Sequence, residues 1–346
     1  MIKVNKEIIF SYNKRPIIIA EISGNHSGSK SKFLKLITSA CLNGADLIKI
    51  QTYEAKDITL NKKNNKFKIN KVIWKNKYLW DLYKKACTPF EWHYEAFKIA
   101  KKFKKILFSS PFSIRGVDFL ESFNVLIYKI ASFEITDHKL IDYIASKKKP
   151  IIISTGMASI EEINRAIKII NKYHNKIIIM HCVSNYPTKL EDTELLKINR
   201  LKKKFKKNLI GLSDHTNDIY SSIASIPLGV VAIEKHFKID KIKTLDSNFS
   251  ILPEQLKALK ENSTMIHKSL RIQKKRNKYI NINLRRSIFA IQNINKNEKL
   301  TKKNIDTFRP NIGIPSENYF NVIGKKTKNR IKKFDAIYFK DLIFKL

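Results

Sequence analysis

The chain has 346 residues, 43% of them hydrophobic and 10% aromatic, which excludes a disordered polymer and is enough for one large core and a smaller one. Lys and Arg number 68 against 30 Asp and Glu, a net charge of +38, but the lysines are spread through nearly every segment and no nucleic-acid recognition motif accompanies them, so no nucleic-acid partner is expected. Three cysteines without disulfide or metal spacing, no secretory h-region and no apolar run of the ~20 residues a membrane span needs predict a cytoplasmic chain with no membrane partner.

From the N-terminus to residue 270, short apolar runs alternate with amphipathic stretches. The runs cover 16–23, 46–52, 105–110, 125–130, 150–155, 176–183, 208–214 and 229–236. Most are nearly continuous in Ile, Leu and Val and end in polar residues, as strands buried on both faces do. The stretches 31–42, 89–104, 117–123, 140–146, 160–173, 195–205, 220–227 and 253–270 read as helices, with Pro89 and Pro253 near two starts and a capping box at Ser159 and Glu162. Eight strands alternating with helices predict an α/β protein, a closed (β/α)8 TIM barrel over about 1–275. A doubly wound open sheet is the structural alternative. The connection 53–88 is oversized and holds Trp74, Tyr78 and Trp80, which predicts a lid over a site. Beyond 270 the composition changes. A basic connector at 271–278 leads to short strands and turns, a small β-rich domain over about 282–346.

Polar residues gather at the C-terminal ends of the predicted strands, where a barrel places its catalytic groups. Glu21 ends the first strand, Lys49 and Gln51 the second, Ser109 and Ser110 the third and Lys129 the fourth, with Ser132 just beyond it. Ser154 ends the fifth, Ser213 and His215 the seventh, and Glu234 and His236 the eighth. Residues two apart on a strand share a face. Two lysines and several hydroxyls at one pole suit a phosphate, and two imidazoles suit a divalent metal with open positions. Together they suggest carbon–carbon bond formation with a phosphorylated donor. An aldolase using Lys129 or Lys49 as a Schiff-base lysine remains open on the same residues.

The segments AEISGNHSG (20–28), GADLIKIQTY (44–53), SSPF (109–112), YKIASFEITD (128–137), KPIIISTGMAS (149–159), GLSDHT (211–216) and IEKHF (233–237) resemble the sialic acid synthase family in order and spacing. RRSIFA (285–290) and RPNIGIP (309–315) resemble that family's antifreeze-like (SAF) domain. The resemblance implies condensation of phosphoenolpyruvate with an amino-sugar aldehyde, giving a nine-carbon 2-keto sugar acid and phosphate. Carried over by position, it implies that Glu21 is the catalytic carboxylate. Lys49, Ser110, Lys129, Ser132, Ser154 and Ser213 would bind phosphoenolpyruvate, with Ser184 a further polar contact. Gln51, Tyr186 and Asp246 would contact the amino sugar. His215 and His236 would hold a divalent metal ion, Mn2+ or else Mg2+ or Co2+. Arg309 would reach the partner subunit's site in a domain-swapped homodimer. Within the family, SSPF, SFEITD (132–137) and LDSNFS (245–250) resemble the branch that forms pseudaminic acid, which implies 2,4-diacetamido-2,4,6-trideoxy-β-L-altropyranose as acceptor. N-acetylmannosamine or a legionaminic acid precursor is the alternative.

Overall fold

Each of the eight apolar runs contains a strand. The computed structural model describes residues 1–70, 74–270 and 281–344, so the basic connector at 271–278 lies outside the described residues. The strands are β1 (Ile17–Glu21), β2 (Leu47–Thr52), β3 (Ile106–Pro111), β4 (Tyr128–Ile130), β5 (Ile151–Ser154), β6 (Ile177–Cys182), β7 (Leu209–Asp214) and β8 (Ala232–Phe237). All pair in parallel and in chain order. β8 pairs with β7 and also with β1, from Ala232 opposite Ile17 to His236 opposite Glu21, so the sheet closes on itself and is not an open, doubly wound one.

Strand alternation sorts the side chains into two apolar layers. Ile17, Ile19, Leu47, Phe108, Ile152, Ile178 and Met180 fill the barrel axis. Ile18, Ala20, Ile48, Ile50, Ile151, Ile153 and Ile179 pack outward against the helices. Burial on both faces is why the runs read as continuous rather than alternating. The helices are α1 (Lys30–Leu42), α2 (Trp92–Lys102), α3 (Ile114–Glu121), α4 (His138–Ser146), α5 (Ile160–Ile170), α6 (Lys197–Lys204), α7 (Tyr220–Ser225) and α8 (Pro253–Ser269). The capping box at α5 forms: Glu162 N donates to Ser159 Oγ at 3.2 Å and Ser159 N to Glu162 Oε2 at 2.8 Å.

Some margins differ from the sequence reading. β4 begins only at Tyr128, and β8 begins three residues late because Gly229, at φ +78°, turns the chain first. An unexpected N-terminal hairpin, Ile2–Lys3 with Ile9–Phe10, sends Ile2, Ile8 and Phe10 into the axial core at the end where the strands start. At that end Asp46 accepts from Arg15 at 2.7 and 2.9 Å and from Lys260 at 2.5 Å, tying the start of β2 to α8. Burial alone would raise the Asp46 carboxyl, but the two cations hold it below its usual range. The long connection carries a short helix Ala55–Ile58, a 3₁₀ turn Asn65–Phe67 and a lid helix Leu79–Ala86. Among the described residues no helix is long and apolar enough to cross a membrane.

The chain divides into two units, Met1–Arg271 and Ile272–Leu346. In the second, Ser287–Ala290 pairs antiparallel with Ile305–Phe308, and Lys326–Thr327 with Leu342–Ile343. Its own core gathers Ile288, Ile294, Leu300, Ile305, Ile314, Ile337 and Leu342.

Candidate active site

At the C-terminal end of the barrel the inward layer changes from apolar to charged. Glu21, Lys49, Lys129 and Glu234 follow Ile19, Leu47, Ile127 and Ala232 two residues on, and all four are buried. Lys49 Nζ lies 2.6 Å from Glu21 Oε2 and 3.5 Å from Glu234 Oε1, and Lys129 Nζ lies 3.4 Å from the same Glu234 oxygen. Two ammonium and two carboxylate groups thus alternate across the top of the barrel. Their environments separate the two acids. Burial pushes Glu21 up to about 7 against the opposing pull of Lys49. Burial would raise Glu234 as well, but Lys129 and Lys49 together hold it low and ionised. Burial lowers Lys129, while Lys49, between two carboxylates, stays raised despite burial. Carboxyls driven apart in this way are a common sign of an acid–base site.

Hydroxyls surround the lysines. Ser110 Oγ is 3.4 Å from Lys49 Nζ, Ser213 Oγ is 3.3 Å from Glu234 Oε1, and Ser132 and Ser184 share a 3.0 Å hydrogen bond. Gly156, at φ +43°, lets the chain pass this serine pair: a Cβ there would collide with Ser184 Oγ and lie 2.5 Å from Ser132 Cβ. Ser154 Oγ, Glu134 Oε2, Glu234 Oε2 and His236 Nδ1 are buried without a hydrogen-bond partner among the described residues. Buried polar atoms in proteins are nearly always satisfied, so four unmet ones around one chamber mark a place where a ligand completes them.

His215 and His236 stand beside this group, ring centroids 5.5 Å apart. His215 Nδ1 donates to the Val183 carbonyl at 2.7 Å, which turns Nε2 inward as an acceptor. Burial lowers His215 to about 4 and His236 well below the usual range, the latter helped by its neighbour His215. Both are therefore neutral at pH 7, the form that ligates metal. Among the described residues no cluster of three His, Cys, Asp or Glu side chains forms a metal cage. The donor set fits an ion held by two imidazoles and completed by water or substrate.

A cavity of about 370 Å³ joins these parts. Of the residues singled out by sequence, Lys49, Gln51, Lys129, Ser132, Ser154, Tyr186, Ser213, His215, His236 and Asp246 line it. Glu21 and Ser110 lie just behind, in contact with Lys49, and Ser184 lies behind Ser132. Gln51 Nε2 donates to Glu21 Oε1 at 3.2 Å. Tyr186 packs against His215 with centroids 4.5 Å apart and against Phe249 at 5.0 Å. Asp246 Oδ2 accepts from Ser23 Oγ and from Gly24 N at 2.9 Å. Arg309 is in the second unit, on an exposed face with Arg285, Arg286 and Glu317.

Sequence reasoning gave no role to three further groups on the cavity wall, Glu134, Cys182 and Glu234. Glu134 is raised to about 7 by burial and then by Asp137. Glu234 was visible as the inward neighbour of His236; Glu134 was not, because a 3₁₀ turn, Ser132–Glu134, brings it there.

A charged pole at the mouth of a parallel barrel, with two neutral imidazoles and a polar chamber, has the make-up and the place of a (β/α)8 enzyme's active site. Residues 36–275 match the NeuB family and residues 285–343 the SAF domain, and the chain belongs to the NeuB family. It is 38% identical over 333 residues to the pseudaminic acid synthase of Campylobacter jejuni, covering 95% of this chain and 97% of that one. Against the pseudaminic acid synthase of Helicobacter pylori it is 39% identical over 323 residues, covering 92% and 95%. Among solved structures, the N-acetylneuraminic acid synthetase of Leptospira borgpetersenii in complex with citrate matches with a TM-score of 0.69 and 29% identity, over 77% of this chain and 89% of that one.

Proposed function

We propose that this enzyme condenses phosphoenolpyruvate with 2,4-diacetamido-2,4,6-trideoxy-β-L-altropyranose and water to give pseudaminic acid and phosphate, working as a homodimer in the cytoplasm. The observation that carries the reading is the buried Glu21–Lys49–Glu234–Lys129 array, ringed by serines and set beside two neutral imidazoles in one chamber. Similarity to two pseudaminic acid synthases over nearly the whole chain supports the choice of acceptor.

Lys49 and Lys129, with Ser132, Ser154 and Ser213, would hold the donor's phosphate and carboxylate, displacing the lysines' present carboxylate contacts. A divalent cation held by His215 and His236 would supply polarisation of the acceptor's aldehyde oxygen. C3 of phosphoenolpyruvate then bonds to the aldehyde carbon and C2 becomes cationic. Water adds at C2 and gives up a proton, the former aldehyde oxygen takes one up to become a hydroxyl, and the C2 hydroxyl loses its proton as the C2–O bond to phosphate breaks, leaving the ketone and phosphate. Glu21, ionised above about 7 and joined to the chamber through Gln51 and Lys49, would take the proton of that water or stabilise the cation. Gln51, Tyr186 and Asp246 would orient the open-chain sugar. Arg309 from the partner would contact an acetamido carbonyl, an assignment supported by the family resemblance.

Mass spectrometry of the product from phosphoenolpyruvate and the diacetamido sugar tests the reading, alongside N-acetylmannosamine and the legionaminic acid precursor. Faster turnover of either alternative acceptor overturns it. The lowered Lys129 ammonium is also what a Schiff-base aldolase needs. Borohydride trapping of a keto acid on that lysine, without phosphate release, would favour that chemistry.

A further inference from the structure

The lid helix Leu79–Ala86 is amphipathic, but its apolar side faces the active-site chamber. Leu79, Leu82, Tyr83 and Ala86 follow the i, i+3, i+4, i+7 spacing of one helical face, and all four line the 370 Å³ cavity. The other side carries Asp81, Lys84 and Lys85. Ile58, at the end of the short helix Ala55–Ile58, extends the apolar wall. Two nearby polar groups are occupied by protein: Asp246 Oδ2 takes bonds from Ser23 and Gly24, and the Leu245 carbonyl accepts from Trp74 Nε1 at 3.3 Å. The chamber is therefore charged on its floor and largely apolar on its lid side, where Ile58, Leu79 and Leu82 stand beside the phenol of Tyr83.

We propose that this lid stripe is the specificity surface for the acceptor sugar. It receives the C6 methyl and the second acetamido methyl of a diacetamido trideoxy hexose, and it disfavours acceptors that carry a hydroxyl at C6. The assignment rests on the functional reading above. A methyl group leaving water for the Ile58, Leu79 and Leu82 part of this wall gains from burial, whereas a hydroxyl placed against those three side chains gives up its water partners for apolar contacts. An apolar pocket rejects an isostere that adds a hydroxyl by up to about 100-fold. The wall therefore grades substrates rather than excluding them.

The test compares kcat/KM for phosphate release with two acceptors that differ only at C6, the 6-deoxy sugar and its 6-hydroxy counterpart. Wild-type enzyme is expected to prefer the deoxy sugar by about 10- to 100-fold. Leu82→Ser and, at a less buried point of the same stripe, Leu79→Ser should each reduce that ratio to about threefold or less, mainly through the acceptor KM, because a hydroxyl on the wall now offers the C6 hydroxyl a partner. The KM for phosphoenolpyruvate and the Tm of Leu79→Ser should stay at wild-type values. Leu82→Met, which keeps volume and polarity, should retain the preference. An unchanged ratio in both serine variants, or equal loss on both acceptors, overturns the assignment. Wild-type enzyme that is idle with both diacetamido sugars but active on another acceptor overturns the functional reading, and the assignment with it.

Discussion

Replacing Lys129 by Met keeps the alkyl bulk and removes one charge from the buried array. The Lys129 side chain is 2% exposed, and its ammonium lies 3.4 Å from Glu234 Oε1, an oxygen that also lies 3.5 Å from Lys49. With Glu21 and Glu234 ionised, the four side chains sum to zero; without Lys129 they sum to −1, and an incoming phosphoenolpyruvate anion meets net repulsion. At an effective dielectric constant near 20, one charge pair at 4 Å is worth about 4 kcal/mol before desolvation. Truncating one partner of a buried charge pair costs about 2–5 kcal/mol. We therefore expect phosphoenolpyruvate binding to weaken by about 2–4 kcal/mol, roughly 30- to 700-fold in Kd. Isothermal titration with phosphoenolpyruvate reads this directly, and a thermal melt establishes that the barrel is intact. A folded Lys129→Met protein that binds phosphoenolpyruvate within about threefold of wild type would refute the placement of the donor's charge over this lysine.

The raised carboxyl of Glu21 should appear in the pH dependence. On the proposed assignment its working form is the ionised one, so kcat/KM should fall as pH drops through about 7, and Glu21→Gln should be slower by about 10²- to 10⁴-fold with that limb gone. A wild-type limb that survives in Glu21→Gln would pass the role to Glu134, which is raised to the same range. For the metal, His236→Ala should weaken Mn2+ binding in calorimetry by at least about 100-fold, more than an outer-sphere change costs; full activity after exhaustive chelation would contradict the ion's place in the reaction. For the dimer, mixing Arg309→Ala chains with Glu21→Ala chains should restore about half of the wild-type activity per heterodimer, since one site then carries both lesions and the other neither. Heterodimers that form and stay inactive would show that Arg309 does not act in trans.

The barrel was legible because its physics is local to each strand. Ile151–Ile153 and Ile177–Ile179 are buried on both faces, and short β-branched runs of that kind suit a buried strand better than a helix. The site was legible where a strand ended: Lys49 and Gln51, and Glu234 and His236, are pairs two apart on one inward face. Elsewhere the signal was missing. Glu134 reaches the chamber through a turn that has no hydrophobic period, and its shifted carboxyl depends on a burial that only the folded chain creates. The two-residue strands of the N-terminal hairpin are too short to show alternation. The lid helix is short, and its stripe faces a chamber assembled from distant strands, so its apolar spacing alone could not say what it covers. Arg309 stood out only through the motif around it; on its own it is one exposed arginine beside Arg285 and Arg286.

The packed barrel axis, covered at its far end by the N-terminal hairpin, leaves the chamber at the strand ends. Phe10, Ile2 and Ile8 cover the far end of the axial core, and at the other end the lid helix, Tyr186 and Asp246 are among the described residues that line the chamber. On the proposed assignment most donor side chains stand on the strand ends, while Tyr186 and Asp246 stand on the loops beyond them. On the proposed assignment this stacking fixes a sequence of events: phosphoenolpyruvate enters first, and the sugar settles over it and shuts it in. Phosphate, freed beneath the new nine-carbon acid, leaves only after that acid has moved aside. An abundant acceptor analogue that occupies the empty enzyme would then bar the donor, so excess sugar would slow the enzyme instead of saturating it.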